Sequence, residues 1–253
     1  MGTQTITNST SEGSDLRFAV LIDGDNASHN NINNVMEEVN KYGNPTIKRI
    51  YGDWTRSNAE GWKKELLENA ITPIQQFAYT TGKNATDSAL IIDAMDILFT
   101  SDIDGFCIVS SDSDFTRLAT RLREAGKMVI GMGEEKTPMA FIKACDRFIY
   151  LSVINRKVDM GSSAIDAKES VTLKNVVTAA INDLADESGY AFLADVGNLI
   201  NKRRPDFDPR NYGFYKLTPL IKSLDGFIID ERPTSNPSIK HVFIKNKTRK
   251  DKR

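Results

Sequence analysis

Two stretches of the chain end an apolar run in closely spaced carboxylates. Phe106-Cys107-Ile108-Val109-Ser110-Ser111 leads into Asp112-Ser113-Asp114, and Phe18-Ala19-Val20-Leu21-Ile22 leads into Asp23-Gly24-Asp25-Asn26. Each run has the composition of a strand buried on both faces. Acids placed directly behind such a strand stand at the carboxyl edge of a sheet, where open α/β sheets bind ligands. Asp112 and Asp114 repel each other and lose hydration when brought together. A hard divalent cation with oxygen ligands offsets that cost. The same residues also suit a helix start, with Asp112 as N-cap and Asp114 favoured by the helix dipole. The second stretch of the same design tips the reading toward ligand chemistry. Asp87 adds a further acid in the first turn of a helical pattern running from Ala85, with Leu90, Ile91, Ala94, Met95 and Leu98 as its apolar stripe. If the first and fourth strands are neighbours, Asp23, Asp87, Asp112 and Asp114 converge on one crevice. Such a cluster suits Mg²⁺ or Mn²⁺ with waters left on the ion. The ion can acidify a water and stabilise charge on a phosphoryl oxygen, so phosphodiester hydrolysis there needs no histidine.

The rest of the composition narrows the chemistry. The 253 residues include only two histidines, His29 and His241, and two cysteines, Cys107 and Cys145. That supply assembles no zinc site of the usual spacing. A Ser-His-Asp or Cys-His mechanism would have to use one of the two histidines, and His29 reads as a solvated residue in a first helical turn. Both cysteines sit in apolar contexts and read as buried thiols. At 40% hydrophobic and 26% charged, the chain has an ordinary globular composition. No apolar run reaches the roughly 20 residues that span a bilayer, so no membrane partner is expected. The polar first stretch lacks the regions of a signal peptide, which gives a disordered tail over 1–16 and a cytoplasmic location. The net charge of −1 divides unevenly: residues 1–151 hold 15 Lys and Arg against 21 Asp and Glu, and residues 152–253 hold 18 against 13. An acidic half joined to a basic half fits a metal site coupled to a module that approaches phosphates.

These residues need a frame. Strands are expected at 18–22, 47–51, 71–78, 106–110, 128–131 and 148–151. Helices are expected between them: one capped by Asn26 and running to Tyr42, then those around Trp62, Leu90, Leu118 and Phe141. In the third helix Asp93 and Asp96 lie deeper than Asp87; a solvated face is the favoured reading for Asp96 and one open reading for Asp93. Strict alternation of strand and helix predicts a parallel sheet with helices on both faces, a three-layer α/β/α domain over 17–151. Gly131-Met132-Gly133 resembles part of a dinucleotide fingerprint, but Lys136 stands where the third glycine belongs and the position is not the first βα turn. Periodicity is lost over 152–169, which reads as a linker containing Gly161-Ser162-Ser163. Beyond it, apolar spacing gives helices over 173–184, 192–200 and 217–224. Strands at 226–230 and 239–244 then complete a small winged-helix-like α+β domain over 170–246. A basic tail at 247–253 ends the chain. Lys202-Arg203-Arg204 is the candidate phosphate contact of this half.

Three motifs together carry a resemblance: Leu21-Ile22-Asp23-Gly24-Asp25-Asn26, Gly82-Lys83-Asn84-Ala85-Thr86-Asp87 and Val109-Ser110-Ser111-Asp112-Ser113-Asp114-Phe115. They resemble the NYN domain, a PIN-like family of metal-dependent ribonucleases. The resemblance implies a PIN-like fold and an endoribonuclease with Asp23, Asp87, Asp112 and Asp114 as metal carboxylates for Mg²⁺ or Mn²⁺. It implies that Asn26 positions the first acid or a phosphate, and Lys83 is a candidate RNA contact beside Asp87. Ser111 departs from a glycine found in many members, and Asn84-Ala85 from a more usual Gly-Val; neither removes a ligand. Leu193-Ala194-Asp195-Val196-Gly197-Asn198-Leu199-Ile200 and Tyr212-Gly213-Phe214-Tyr215-Lys216-Leu217 resemble an OST-HTH (LOTUS) domain. That family implies RNA binding and, in some cases, protein contacts. Two other readings stay open: a non-catalytic RNA- or protein-binding regulator, and a haloacid-dehalogenase-type phosphatase with Asp23 as nucleophile and Asp25 as acid. A protein partner for the C-terminal domain and self-association stay open as well.

Overall fold

A computed structural model describes residues 16–55, 60–77, 85–155, 166–235 and 240–247. The chain divides into two compact units, residues 1–155 and 156–253. The first is built on six strands: β1 (Arg17–Asp23), β2 (Asn44–Gly52), β3 (Thr72–Gln75), β4 (Gly105–Val109), β5 (Met128–Gly133) and β6 (Arg147–Tyr150). They pair in the order β3-β2-β1-β4-β5-β6, and every pairing is parallel.

Alternating side chains of these strands feed two separate cores. Ala19, Leu21, Tyr51, Phe106, Ile108, Val129 and Phe148 face one way. They meet α3 (Ala85–Thr100), α4 (Thr116–Glu124) and α5 (Met139–Ala144) through Leu90, Ala94, Leu118, Leu122 and Phe141. Phe18, Val20, Ile22, Ile50, Cys107, Ile130 and Ile149 face the other way. They meet α1 (Ile32–Val39), α2 (Glu60–Glu68) and α6 (Leu151–Asn155) through Val35, Val39, Trp62 and Leu151. Covering both faces explains why the central strands read as unbroken apolar runs. Each fully buried aliphatic side chain contributes about 1.5–3 kcal/mol. The result is the expected PIN-like three-layer α/β/α fold.

The second unit has its own core. α7 (Ala167–Leu184), α8 (Leu193–Arg203) and α9 (Leu217–Ser223) enclose Leu173, Val177, Val196, Ile200, Leu220 and Ile221. The antiparallel strands β7 (Tyr190–Phe192), β9 (Lys240–Asn246) and β8 (Phe227–Pro233) pair in that order. Ala191 and Ile244 point from this sheet into the core.

Four expectations are corrected. The first helix does not start at Asn26: the Asn26 and Ala27 amides donate to the Asp23 carbonyl in a tight turn, and a 3₁₀ turn at His29–Asn31 precedes α1. The third strand stops at Gln75 instead of reaching Ala78. Phe192 ends the short strand β7 rather than lying inside α8, because Ala191 and Phe192 pair with Ile244 and Phe243 of β9. Helices occupy both ends of the expected 152–169 linker, with α6 reaching Asn155 and α7 starting at Ala167. Its Gly161-Ser162-Ser163 centre lies outside the described residues.

Candidate metal centre

The strand order reverses between β1 and β4. The chain lays β2 and β3 on one side of β1, then returns to place β4 on the other and continues outward. The carboxyl ends of β1 and β4 therefore flank the switch-point crevice of a doubly wound sheet. Ile22 and Val109 are register partners, so Asp23 and Ser110 leave the sheet side by side.

Asp23 is fully buried at the end of β1. Its Oδ2 accepts from Asn26 Nδ2 and Ser110 Oγ, each at 2.7 Å, and its Oδ1 accepts from the Asp25 amide at 3.2 Å. Burial outweighs these donors and raises the Asp23 carboxyl above its ordinary range. Ser110 also accepts the Asp112 amide at 3.1 Å, so one hydroxyl ties the first acid to the loop after β4. Farther along, Asp112 Oδ1 accepts the Asp114 amide at 2.9 Å, which makes Asp112 the N-cap of the 3₁₀ turn Ser113–Phe115. The Glu134 amide donates to Ser111 Oγ at 2.8 Å and steadies the same loop from β5.

Asp87, in the first turn of α3, reaches this loop. One carboxylate oxygen from each of Asp87, Asp112 and Asp114 lies within 4.8 Å of the others. Burial, then the charges of Asp23, Asp112, Asp114 and Asp25, push the Asp87 carboxyl up to about 6. The capping reading and the ligand reading of Asp112 are thus compatible, since its cap uses one oxygen.

The structure brings three of the four expected carboxylates into one group, and Asp23 stands outside it. Asn26 contacts Asp23, as the resemblance implied. Lys83 lies outside the described residues. In the second unit Lys202 is exposed. Arg203 is paired with Asp183 at 2.6 Å, and Arg204 lies 3.9 Å from Asp206. Two members of the basic triplet are therefore already partnered. His29 packs edge-on against Trp62, with ring centroids 6.1 Å apart, and is half-buried rather than solvated. Burial raises both thiols, that of Cys145 to about 12. Asp96 is exposed as expected, but Asp93 is not a solvated face residue. Its carboxylate accepts from Arg49 Nη1 and the Tyr51 hydroxyl. Sequence reading missed Ser110, whose signal is a hydroxyl ending an apolar run. It also missed the pairing of Asp93, which only the facing of α3 onto β2 discloses.

These features define an all-carboxylate centre at the switch point of a PIN-like sheet. The chain belongs to the NYN domain family, which matches residues 17–153. An OST-HTH/LOTUS domain matches residues 168–239. An uncharacterized protein of Methanocaldococcus jannaschii is 29% identical over 123 residues, covering 47% of this chain and 48% of that protein. The chain thus spans about half the length of that curated relative. A protein of unknown function from Vibrio parahaemolyticus is similar over 56% of this chain and 96% of its own, with 18% identity and a TM-score of 0.46. An uncharacterized protein of Nitrosomonas europaea is 33% identical over 37% of this chain and 92% of its own, with a TM-score of 0.28.

Proposed function

We propose that the protein is a metal-dependent ribonuclease that hydrolyses RNA phosphodiester bonds at the Asp87, Asp112 and Asp114 centre. The observation that carries this reading is the meeting of the three carboxylates within 4.8 Å at the carboxyl edge of the sheet. The donor set fits Mg²⁺ or Mn²⁺, because it offers hard oxygens and neither imidazole nor thiolate. Bound there, the ion would supply Lewis acidity to an attacking water and to the phosphoryl oxygens. The chain's own residues prepare the site. Asn26 and Ser110 hold the Asp23 carboxylate, whose charge acts on Asp87. The Ser110 hydroxyl and the Asp112 cap fix the loop that carries Asp112 and Asp114. The C-terminal domain supports RNA as the substrate, since an OST-HTH/LOTUS match accompanies the acidic domain. Among the described residues no helix is long and apolar enough to cross a membrane. A phosphatase using Asp23 as nucleophile is less favoured, because that carboxylate is fully buried and already holds two strong donors.

The test is cleavage of end-labelled single-stranded RNA with Mg²⁺ or Mn²⁺, with and without EDTA. Cleavage should require the ion. Asp112→Asn should lower it by more than the roughly 10–100-fold that loss of a supporting partner costs a metal site. Undiminished cleavage in EDTA, or by the variant, would refute the assignment.

A further inference from the structure

The site leaves one question of construction open: what sets α3 at the one position on the sheet where Asp87 meets the loop after β4. The apolar side of the helix does not answer it alone. Leu90, Ala94 and Ile97 pack against β1 and β2 through non-directional contacts, which tolerate small slides and rotations. Directional contacts are supplied by Arg49, Tyr51 and Asp93. Arg49 and Tyr51 lie two apart on β2 and so project from the same face. Arg49 Nη1 donates to Asp93 Oδ1, and the fully buried Tyr51 donates its hydroxyl to Asp93 Oδ2. Each carboxylate oxygen of Asp93 thus has its own donor from β2. The pair is largely withdrawn from water, with side-chain exposures of 34% for Arg49 and 21% for Asp93. Sliding the helix would strand a dehydrated charge, which makes the interaction specific in position whatever its net contribution.

The same strand residue reaches the acids from the other direction. Tyr51 is the register partner of Asp23, and its carbonyl accepts the Gly24 amide at 2.8 Å. Asp93 lies six residues after Asp87 on one helix, about 9 Å along its axis. A single connected set therefore runs from the Asp23 turn through Tyr51 to Asp93, and along α3 to Asp87. We propose that Arg49, Tyr51 and Asp93 are positioning residues: a clamp that fixes α3 on β2 so that Asp87 completes the carboxylate group with Asp112 and Asp114. The clamp acts on the carboxylate group through the helix. This inference rests on the metal-centre reading of those acids.

Isothermal titration calorimetry with Mn²⁺ alone, at pH 7, tests it on the full chain. Tyr51→Phe removes one donor and keeps the ring. Asp93→Asn removes the charge and keeps the shape. Leu98→Ala is the control, since Leu98 is buried on the same helix but lies outside the clamp. Both clamp variants should weaken Mn²⁺ binding about 10–100-fold, the loss typical of residues that orient metal ligands. Leu98→Ala should lower Tm at least as much and keep Mn²⁺ affinity within about twofold of wild type. Wild-type affinity in the clamp variants, or an affinity loss that follows Tm in all three variants, would overturn the clamp while leaving the metal centre standing. Absence of Mn²⁺ binding by the wild-type chain would instead remove the metal centre, and the clamp's role with it.

Discussion

Asp87 is the residue where charge, burial and ligand chemistry meet. Its carboxyl is raised from 3.8 to about 6 by burial and by the surrounding aspartates. Between those values the folded chain holds a proton that the unfolded chain has released. Stability therefore falls as pH rises from about 4 to about 6, and the penalty persists above that window. Without metal, Tm should be lower at pH 7 than at pH 5 through this group. Asp87→Asn removes one of the crowded charges, so in EDTA at pH 7 it should raise Tm rather than lower it. The same substitution should abolish any rise in Tm on adding Mn²⁺, because a bound ion stabilises only the state that holds it. Mn²⁺ affinity of the wild-type chain should likewise weaken as pH drops below about 6, where protons compete for Asp87. Differential scanning fluorimetry over a pH series, with EDTA or Mn²⁺, reads all four effects. A variant that melts lower than wild type in EDTA at pH 7 would show that Asp87 has a supporting role in the fold instead.

At the scale of elements, Gly131 shows how one residue type serves packing where a motif search suggests a ligand. It lies in β5, where an added Cβ would come within 2.6 Å of the Phe148 ring and 2.8 Å of Cys145 Sγ. The glycine makes room for the Phe148 ring of the neighbouring β6 and for the Cys145 thiol just after α5. Gly131→Ala should cost about 1–3 kcal/mol through overpacking, read as a lower urea midpoint with an unchanged slope. An unshifted midpoint would mean that Phe148 and Cys145 yield freely. Most strands were legible because burial on both faces demands the continuous apolar runs seen at Phe18–Ile22 and Phe106–Val109. Elements that owe their state to partners far along the chain were not. Tyr190–Phe192 is a strand only because β9 lies beside it, and nothing local separates it from the start of α8. The acids were legible as strand-end residues, but which of them share one group was not. Asp87 joins Asp112 and Asp114 by the placement of α3, while Asp23 is drawn inward by Asn26 and Ser110. The pairing of Asp93 was not legible because its partners, Arg49 and Tyr51, are more than forty positions away.

For the whole molecule, the uneven charge predicts a division of labour between two units that each possess a core. Residues 1–151 carry six more acids than bases, and residues 152–253 carry five more bases than acids. Carboxylates without metal repel RNA, so the first unit alone should bind it weakly. Affinity from the second unit should come through phosphate contacts and fall with added salt, with a slope of about −0.7 per contact on single strands. The pairing of Arg203 with Asp183 and the nearness of Arg204 to Asp206 bear on its size. Exchanging those partners for phosphates returns less than engaging a free cation. Lys202→Ala should therefore account for most of the change seen when Lys202, Arg203 and Arg204 are all replaced by Ala. A chain ending at Asn155 keeps both cores of the first unit intact. It should retain ion-dependent cleavage at saturating RNA, with a higher KM and a flatter dependence on salt. Fluorescence anisotropy with a labelled single-stranded RNA, from 50 to 300 mM salt on the order of the usual working range, compares the full chain, the shortened chain and the variants. A steep slope in the full chain that disappears on shortening supports the second unit as the RNA tether. Equal affinities and slopes in every form would assign that domain to a protein contact and leave RNA recognition to the acidic unit and its ion.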